Sequence, residues 1–205
     1  MNRGGIQEVF IDWYKTLSTS VFWEHLAEEN ADLYSTLSNS LFGTLGQQVN
    51  LWMRGTVTSE QIIGRVAQNA NLSYDTVYAE FVRSCQSMKF VAPEVPLLVA
   101  ALRGRGVRVV IATDNMDSFG RFTVPAMGLS GMFDEVLNSS DLKALKDDFD
   151  AGGRSLFFHD YMLKRGMTPE QYFLIDDSES TRASAERIGI GYLQVTAENT
   201  LVHYL

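Results

Sequence analysis

Of the five apolar runs in this chain long enough to be β-strands, four lie in the second half and one stands alone near the start. They cover residues 9–13, 107–113, 135–138, 172–175 and 192–195. Helical patterns at 96–103, 155–164 and 181–188 fall among them, so strand and helix alternate as in a parallel sheet covered on both faces. Gly104, Gly106, Gly166, Gly189 and Gly191 punctuate the joins. At residues 97–107 a helix ends near glycine and a strand follows, a compact helix-to-strand connection. The predicted class is α/β.

The stretch from 18 to 92 separates the lone first strand from the rest and has helical periodicity with no convincing strand. Thr58-Ser59-Glu60-Gln61 offers a helix start, with an N-cap hydroxyl and an early acid, followed by Ile62, Ile63 and Val66 at apolar spacing. Ser73-Tyr74-Asp75 opens another helix through Val77, Phe81 and Val82. The simplest layout joins 1–17 with 93–205 as one core and lets 18–92 fold as an all-helical insertion above the carboxyl ends of the strands. With 205 residues, 45% of them hydrophobic, the chain has room for such a core and insertion.

No stretch approaches the roughly 18 apolar residues needed to span a bilayer, and no charged segment followed by an apolar one opens the chain, so a cytoplasmic location is expected. The single cysteine, Cys85, excludes a disulfide framework and multi-thiolate metal sites, and its helical surroundings point to ordinary packing. A net charge of −8 disfavours a nucleic-acid surface, which needs clustered Lys and Arg. Small anionic substrates remain compatible with it through a locally positive pocket.

Four segments carry the chemistry. Glu8-Val9-Phe10-Ile11-Asp12 is an apolar run that ends in a carboxylate directly before a turn-like stretch. A buried strand ending in Asp delivers a fixed, partly desolvated carboxylate to the sheet edge where open α/β folds bind ligands. Val109-Val110-Ile111-Ala112-Thr113-Asp114-Asn115 ends a second strand in a hydroxyl able to donate to a phosphoryl oxygen. Residues 139–146 bring Lys143 and Lys146 near a strand end, where an ammonium can neutralise a transferring phosphoryl group. Phe173-Leu174-Ile175-Asp176-Asp177 ends a fourth strand in adjacent carboxylates, which repel unless a cation intervenes and which suit Mg²⁺. Each segment also has a plainer reading: Asp12 and Thr113 as turn residues, Lys146 as a solvated charge, Asp176 and Asp177 as a helix N-cap.

Taken in order, strand-Asp, strand-Thr, Lys and strand-Asp-Asp resemble the four-motif signature of the haloacid dehalogenase superfamily. The resemblance spans nearly the whole chain, including the helical insertion between the first two motifs. It implies a Rossmann-like three-layer core with a helical cap. In phosphatase members the first motif is Asp-x-Asp-x-Thr, so Asp12 corresponds to the nucleophile that forms an aspartyl-phosphate. Thr113 and Lys146 correspond to phosphate-orienting residues, and Asn115 and Tyr14 fall at the substrate. Mg²⁺ would be held by Asp12, the Tyr14 backbone carbonyl, Asp177 directly and Asp176 in support. The implied substrate is a small phosphorylated metabolite.

The chain departs from that pattern at Tyr14, where phosphatase members carry an acid that protonates the leaving group. A phenol with an ordinary pKa near 10 is a poor base at neutral pH, and losing a general acid/base costs about 10²- to 10⁴-fold. Lys15 replaces a small residue, and Asp147 stands where many members have proline, which leaves Lys143 as an alternative to Lys146. Tyrosine at position 14 is similar to the true 2-haloacid dehalogenases, whose aspartate attacks carbon without a metal. Against that reading, residues 16–53 contain no Arg or Lys to receive halide, Arg54 being the first, and the acidic pair is retained. His25 and Glu24 are the nearest substitutes for the missing acid. His159 is expected on an outer helix and His203 lies close to the C-terminus. Phe22, Trp23, Tyr34, Phe42 and Trp52 read as cap core, with one or two facing the pocket. Besides a phosphatase and a dehalogenase, a degenerate member kept for binding alone fits Tyr14 and Lys15.

Overall fold

The computed structural model describes residues 5–196. Five parallel strands, β1 (Glu8–Ile11), β2 (Arg108–Thr113), β3 (Glu135–Asn138), β4 (Tyr172–Asp176) and β5 (Gly191–Gln194), form one sheet in the order β3-β2-β1-β4-β5. The first strand in sequence is thus the middle one in space, pairing Ile11 with both Ile111 and Ile175. All four of its residues are buried, as expected of a parallel strand covered on both faces, which reads as a continuous apolar run. Val9 and Ile11 pack into one layer with Val99, Leu129 and Phe133. Phe10 faces the other layer among Phe158, Leu174 and Ala185, and its ring stacks on Tyr172 at 5.5 Å between centroids. Helix Val95–Gly104 contributes to the first layer, and helices His159–Arg165 and Glu179–Ile188 pack on the second.

β1 stops one residue before Asp12, although the apolar run continues into Trp13. The Asp12 N–H still donates to the Ile175 carbonyl at 2.9 Å, but the Trp13 carbonyl accepts from Leu17 and Ser18 at 2.9 and 2.8 Å, closing a turn in place of a ladder. The helix expected from Ser155 begins at His159, because Ser155 Oγ accepts the Phe158 N–H at 3.0 Å and holds a separate turn ahead of it.

Helices run through most of the stretch from Leu26 to Gln86, the longest being Ser59–Ala70 and Tyr74–Gln86, and among the described residues of 18–92 no strand occurs. Their apolar faces meet in a cluster that includes Trp23, Leu37, Trp52, Ile62, Val66 and Phe81. The helix starts follow the local chemistry. Thr58 forms a reciprocal capping box with Gln61, and Ser73 Oγ accepts the Thr76 N–H at 3.2 Å. Cys85 is buried in the same cluster, and burial pushes its thiol up to about 12, too high for a nucleophile at neutral pH.

The helical layer is fastened to loops that follow β2 and β3. Trp52 Nε1 and Ser59 Oγ each donate to Asp117 Oδ1 at 2.7 Å. Ser139 Oγ donates to the Met53 carbonyl at 2.7 Å, and Arg54 pairs with Asp148. Gly55, at φ +58°, lies so close that a Cβ there would sit 2.2 Å from the Ser140 carbonyl oxygen, so only glycine fits. Among the described residues no helix is long and apolar enough to cross a membrane.

Candidate active site

Asp12 lies just beyond the carboxyl end of the central strand with 5% of its surface exposed. Lys146, 3% exposed, reaches across from the loop after β3 and places Nζ 2.7 Å from Asp12 Oδ1 and 2.5 Å from Asp176 Oδ2. The backbone that delivers it is specific. Helix Ser139–Leu142 ends at Lys143 in the left-handed region, φ +60°, and the reversal buries Ala144 and Leu145 before Lys146 turns inward. The Lys146 N–H then donates to Asp114 Oδ1 at 3.0 Å. Asp176 is fixed from its other side, Oδ1 accepting the Ser178 N–H at 2.8 Å. Asp177 is more open and lies 3.9 Å from Lys15 Nζ.

Carboxylates outnumber cations here. Asp12, Asp176 and Asp177 each offer an oxygen within 4.8 Å of the others, and the ammonium buried among them belongs to Lys146. Burial pushes Asp12 up to about 7; Lys146 opposes the shift and Asp176 adds to it. Burial likewise raises Asp114 to about 6. Asp177 is raised by burial and by Asp176. Burial alone would lower Lys146, but Asp12, Asp176 and Asp114 together carry it above the ordinary lysine value, so its charge is permanent at physiological pH. A cluster of oxygen donors with surplus negative charge fits a hard divalent cation such as Mg²⁺.

Thr113 ends β2 with 1% exposure, and its Oγ1 has no hydrogen-bond partner among the described residues. A buried hydroxyl left unpaired costs about 1–3 kcal/mol. Asn115 serves its own turn: Oδ1 accepts the Met116 N–H and its backbone N–H donates to Ser139 Oγ, both at 2.9 Å. Beside Asp12 opens a cavity of about 230 Å³ lined by Trp13, Tyr14, Phe22, Phe42, Met53 and Asp114, among others. Tyr14 is 43% exposed on its wall.

Other residues singled out in the sequence point elsewhere. Lys143 donates to the Gly55 carbonyl at 3.1 Å, so of the two lysines it is Lys146 that reaches Asp12. Arg54 is held by Asp148 and does not line the cavity. His25 Nε2 lies 2.8 Å from Glu80 Oε2, in a cleft shared with Glu24 that adjoins the cavity at Ser20 and Val21. His159 opens an outer helix and lines another depression with Arg187. His203 falls outside the described residues. Of the aromatic residues, Phe22 and Phe42 line the cavity, while Trp23 and Trp52 are buried in the helical cluster with Tyr34 packed against it. Asp114, which carries no assignment from the motifs, is marked in the sequence as an acid between Thr113 and Asn115 at a strand end. Asp117, which ties the helical layer to the β2 loop, had no signal.

No family model matches the chain, and no curated protein matches it in sequence. Solved structures match over nearly its full length. A HAD family enzyme from Bacteroides thetaiotaomicron is similar at TM-score 0.68 and 18% identity, covering 98% of each chain. The same enzyme in complex with magnesium and inorganic phosphate matches at TM-score 0.66 and 18% identity, over 98% of this chain and 100% of that one. An L-2-haloacid dehalogenase from Xanthobacter autotrophicus, with chloropropionic acid covalently bound, matches at TM-score 0.64 and 14% identity, over 95% and 80%. The chain therefore has the haloacid dehalogenase-type fold, in agreement with the order of its four motifs.

Proposed function

We propose that this protein is a Mg²⁺-dependent phosphatase that acts on a small phosphorylated metabolite through an aspartyl-phosphate at Asp12. The observation that carries the reading is the placement of Lys146 between Asp12 and Asp176, with Asp177 close enough to complete an oxygen cluster. In this reading one Asp12 oxygen attacks phosphorus, while Lys146 and the unpaired Thr113 hydroxyl bind the non-bridging oxygens. Asp12, Asp176, Asp177 and the Tyr14 carbonyl would hold Mg²⁺, which when bound neutralises charge on the phosphoryl group. The magnesium and phosphate complex of the Bacteroides enzyme supports the same assignment.

A 2-haloacid dehalogenase is the second reading, favoured by Tyr14 on the cavity wall and by the Xanthobacter neighbour. Two features weigh against it. Arg54 is engaged by Asp148, and the acidic pair Asp176 and Asp177 is retained beside Asp12. The test is phosphate release from an aryl phosphate with Mg²⁺, with chelator and Asp12→Asn as controls. Metal-dependent release lost in Asp12→Asn is the expected result. Halide release from 2-chloropropionate that survives chelation would instead establish the dehalogenase, and ligand binding without either turnover would establish a binding protein.

A further inference from the structure

We propose that Asp114 is the proton carrier of the site, giving its proton to the leaving oxygen and later taking one from the attacking water. The inference rests on the phosphatase reading and assigns the role that Tyr14 leaves open. Esters with basic leaving groups expel an alkoxide poorly unless it is protonated as the P–O bond breaks. Such a group must lie beside the phosphoryl, within reach of the leaving oxygen, and hold a proton at working pH.

The fold supports Asp114 in this role. It follows Thr113 at the end of β2, the strand paired directly with β1, so it opens onto the same sheet edge as Asp12. Lys146 ties the two together, its Nζ on Asp12 and its backbone N–H on Asp114 Oδ1. Asp114 Oδ2 accepts no hydrogen bond from the described residues, and the side chain lines the cavity that starts at Trp13 and Tyr14. The rest of that lining is mostly apolar, with Phe22, Phe42 and Met53 prominent, and suits an uncharged leaving alcohol. Burial raises the carboxyl to about 6, against the pull of Lys146 and with the push of Asp176 and Asp147. It therefore exchanges a proton near neutrality. His25 lines an adjoining cleft, where its Nε2 is engaged by Glu80.

The proton balance closes. In the first step Asp12 bonds to phosphorus, the P–O bond to the alcohol breaks, and the Asp114 proton moves to the departing oxygen. In the second, water attacks phosphorus, the Asp12–P bond breaks, and the water's proton returns to the Asp114 carboxylate.

The test compares kcat/KM of wild type, Asp114→Asn and Asp114→Glu with Mg²⁺ on para-nitrophenyl, phenyl and benzyl phosphate, whose leaving groups grow steadily more basic. Asp114→Asn can still accept the Lys146 N–H, so a merely structural role predicts equal rates on all three esters or an equal loss. The expected result is a graded loss, about tenfold or less on the nitrophenyl ester and about 10²- to 10³-fold on the benzyl ester, partly restored by Asp114→Glu. A uniform loss, or none, overturns the assignment while leaving the phosphatase reading intact. Absence of wild-type turnover on every ester overturns that reading and this one with it. If both variants misfold, wild type carries the test: turnover of the benzyl ester alone should fall as pH rises past the donor's ionisation. Identical pH profiles for benzyl and nitrophenyl esters overturn the proposal.

Discussion

The two ends of the central strand each bury a carboxylate against basic side chains, yet one resembles a site and the other a clamp. At the amino end Glu8 is fully buried, and its Oε2 meets Arg165 at 3.2 Å and Arg108 at 3.3 Å. Two guanidinium groups serve one carboxylate, and both arginines keep about a third of their side chains in contact with solvent. At the carboxyl end the ratio is inverted, with the buried ammonium of Lys146 facing Asp12 and Asp176, and Asp114 and Asp177 close by. Burial of an acid therefore does not mark function here. Surplus negative charge is what sets the carboxyl end apart, because it leaves room for a cation and shifts proton affinities toward neutrality.

Four perturbations break or sharpen that contrast. The largest effect is expected from Asp12→Asn set beside Glu8→Gln: the first should lower phosphatase kcat by at least about 10³-fold, the second by no more than a few-fold. Comparable losses from both would end the distinction. Next, Lys146→Met strands the carboxylates without their cation and should cost about 3–5 kcal/mol in metal-free denaturant unfolding. Glu8→Gln should cost about 1 kcal/mol, since each freed arginine can turn toward water. Third, Mg²⁺ at a hundred times its Kd should stabilise wild type and Glu8→Gln by about 2.7 kcal/mol in thermal unfolding. It should leave an Asp12→Asn/Asp177→Asn double variant nearly unmoved. The smallest effect concerns Asp114. Its folded-state pKa of about 6 lies above the ordinary 3.8, so the folded protein keeps a proton that the unfolded chain has released. Stability thus falls as pH rises through that window, and the penalty is complete above it. Asp114→Asn lacks the penalty and should be more stable than wild type by roughly 1–3 kcal/mol at pH 8, with little difference at pH 4. Urea unfolding at the two pH values measures this.

Much of this arrangement was legible in the chain. Continuous apolar runs ending in Asp12, Thr113 and Asp176 marked strands whose carboxyl ends converge, because a parallel sheet covered on both faces requires that pattern. Hydroxyl caps at Thr58 and Ser73 marked real helix starts. The choice between Lys143 and Lys146 was not legible. Three residues apart, they would share a face of a continuous helix, and only the left-handed turn at Lys143 sends one to Gly55 and the other to Asp12. Glu8 and Asp114 were equally hidden, since the arginines around one and the backbone N–H on the other come from distant chain segments. The inward face of Phe42 depends on how the helical layer sits, which no local periodicity encodes.

The position of β1 in the sheet also governs the order in which the molecule can assemble. Its residues precede those of both partner strands, yet Ile11 pairs with Ile111 and Ile175, so no partner exists until more than half of these 205 residues have been synthesised. The helices between Leu26 and Gln86 rely on nearer neighbours and are free to collapse earlier, as local contacts generally do. Asp12 therefore waits in an unformed strand and acquires its perturbed chemistry only when β4 docks. In refolding followed by pulsed hydrogen exchange, the amides of β1 and β4 should gain protection together, and after those of helix Ser59–Ala70. The burial of Asp12 against Lys146 and Asp176 is thus completed only when the later strands pack beside β1.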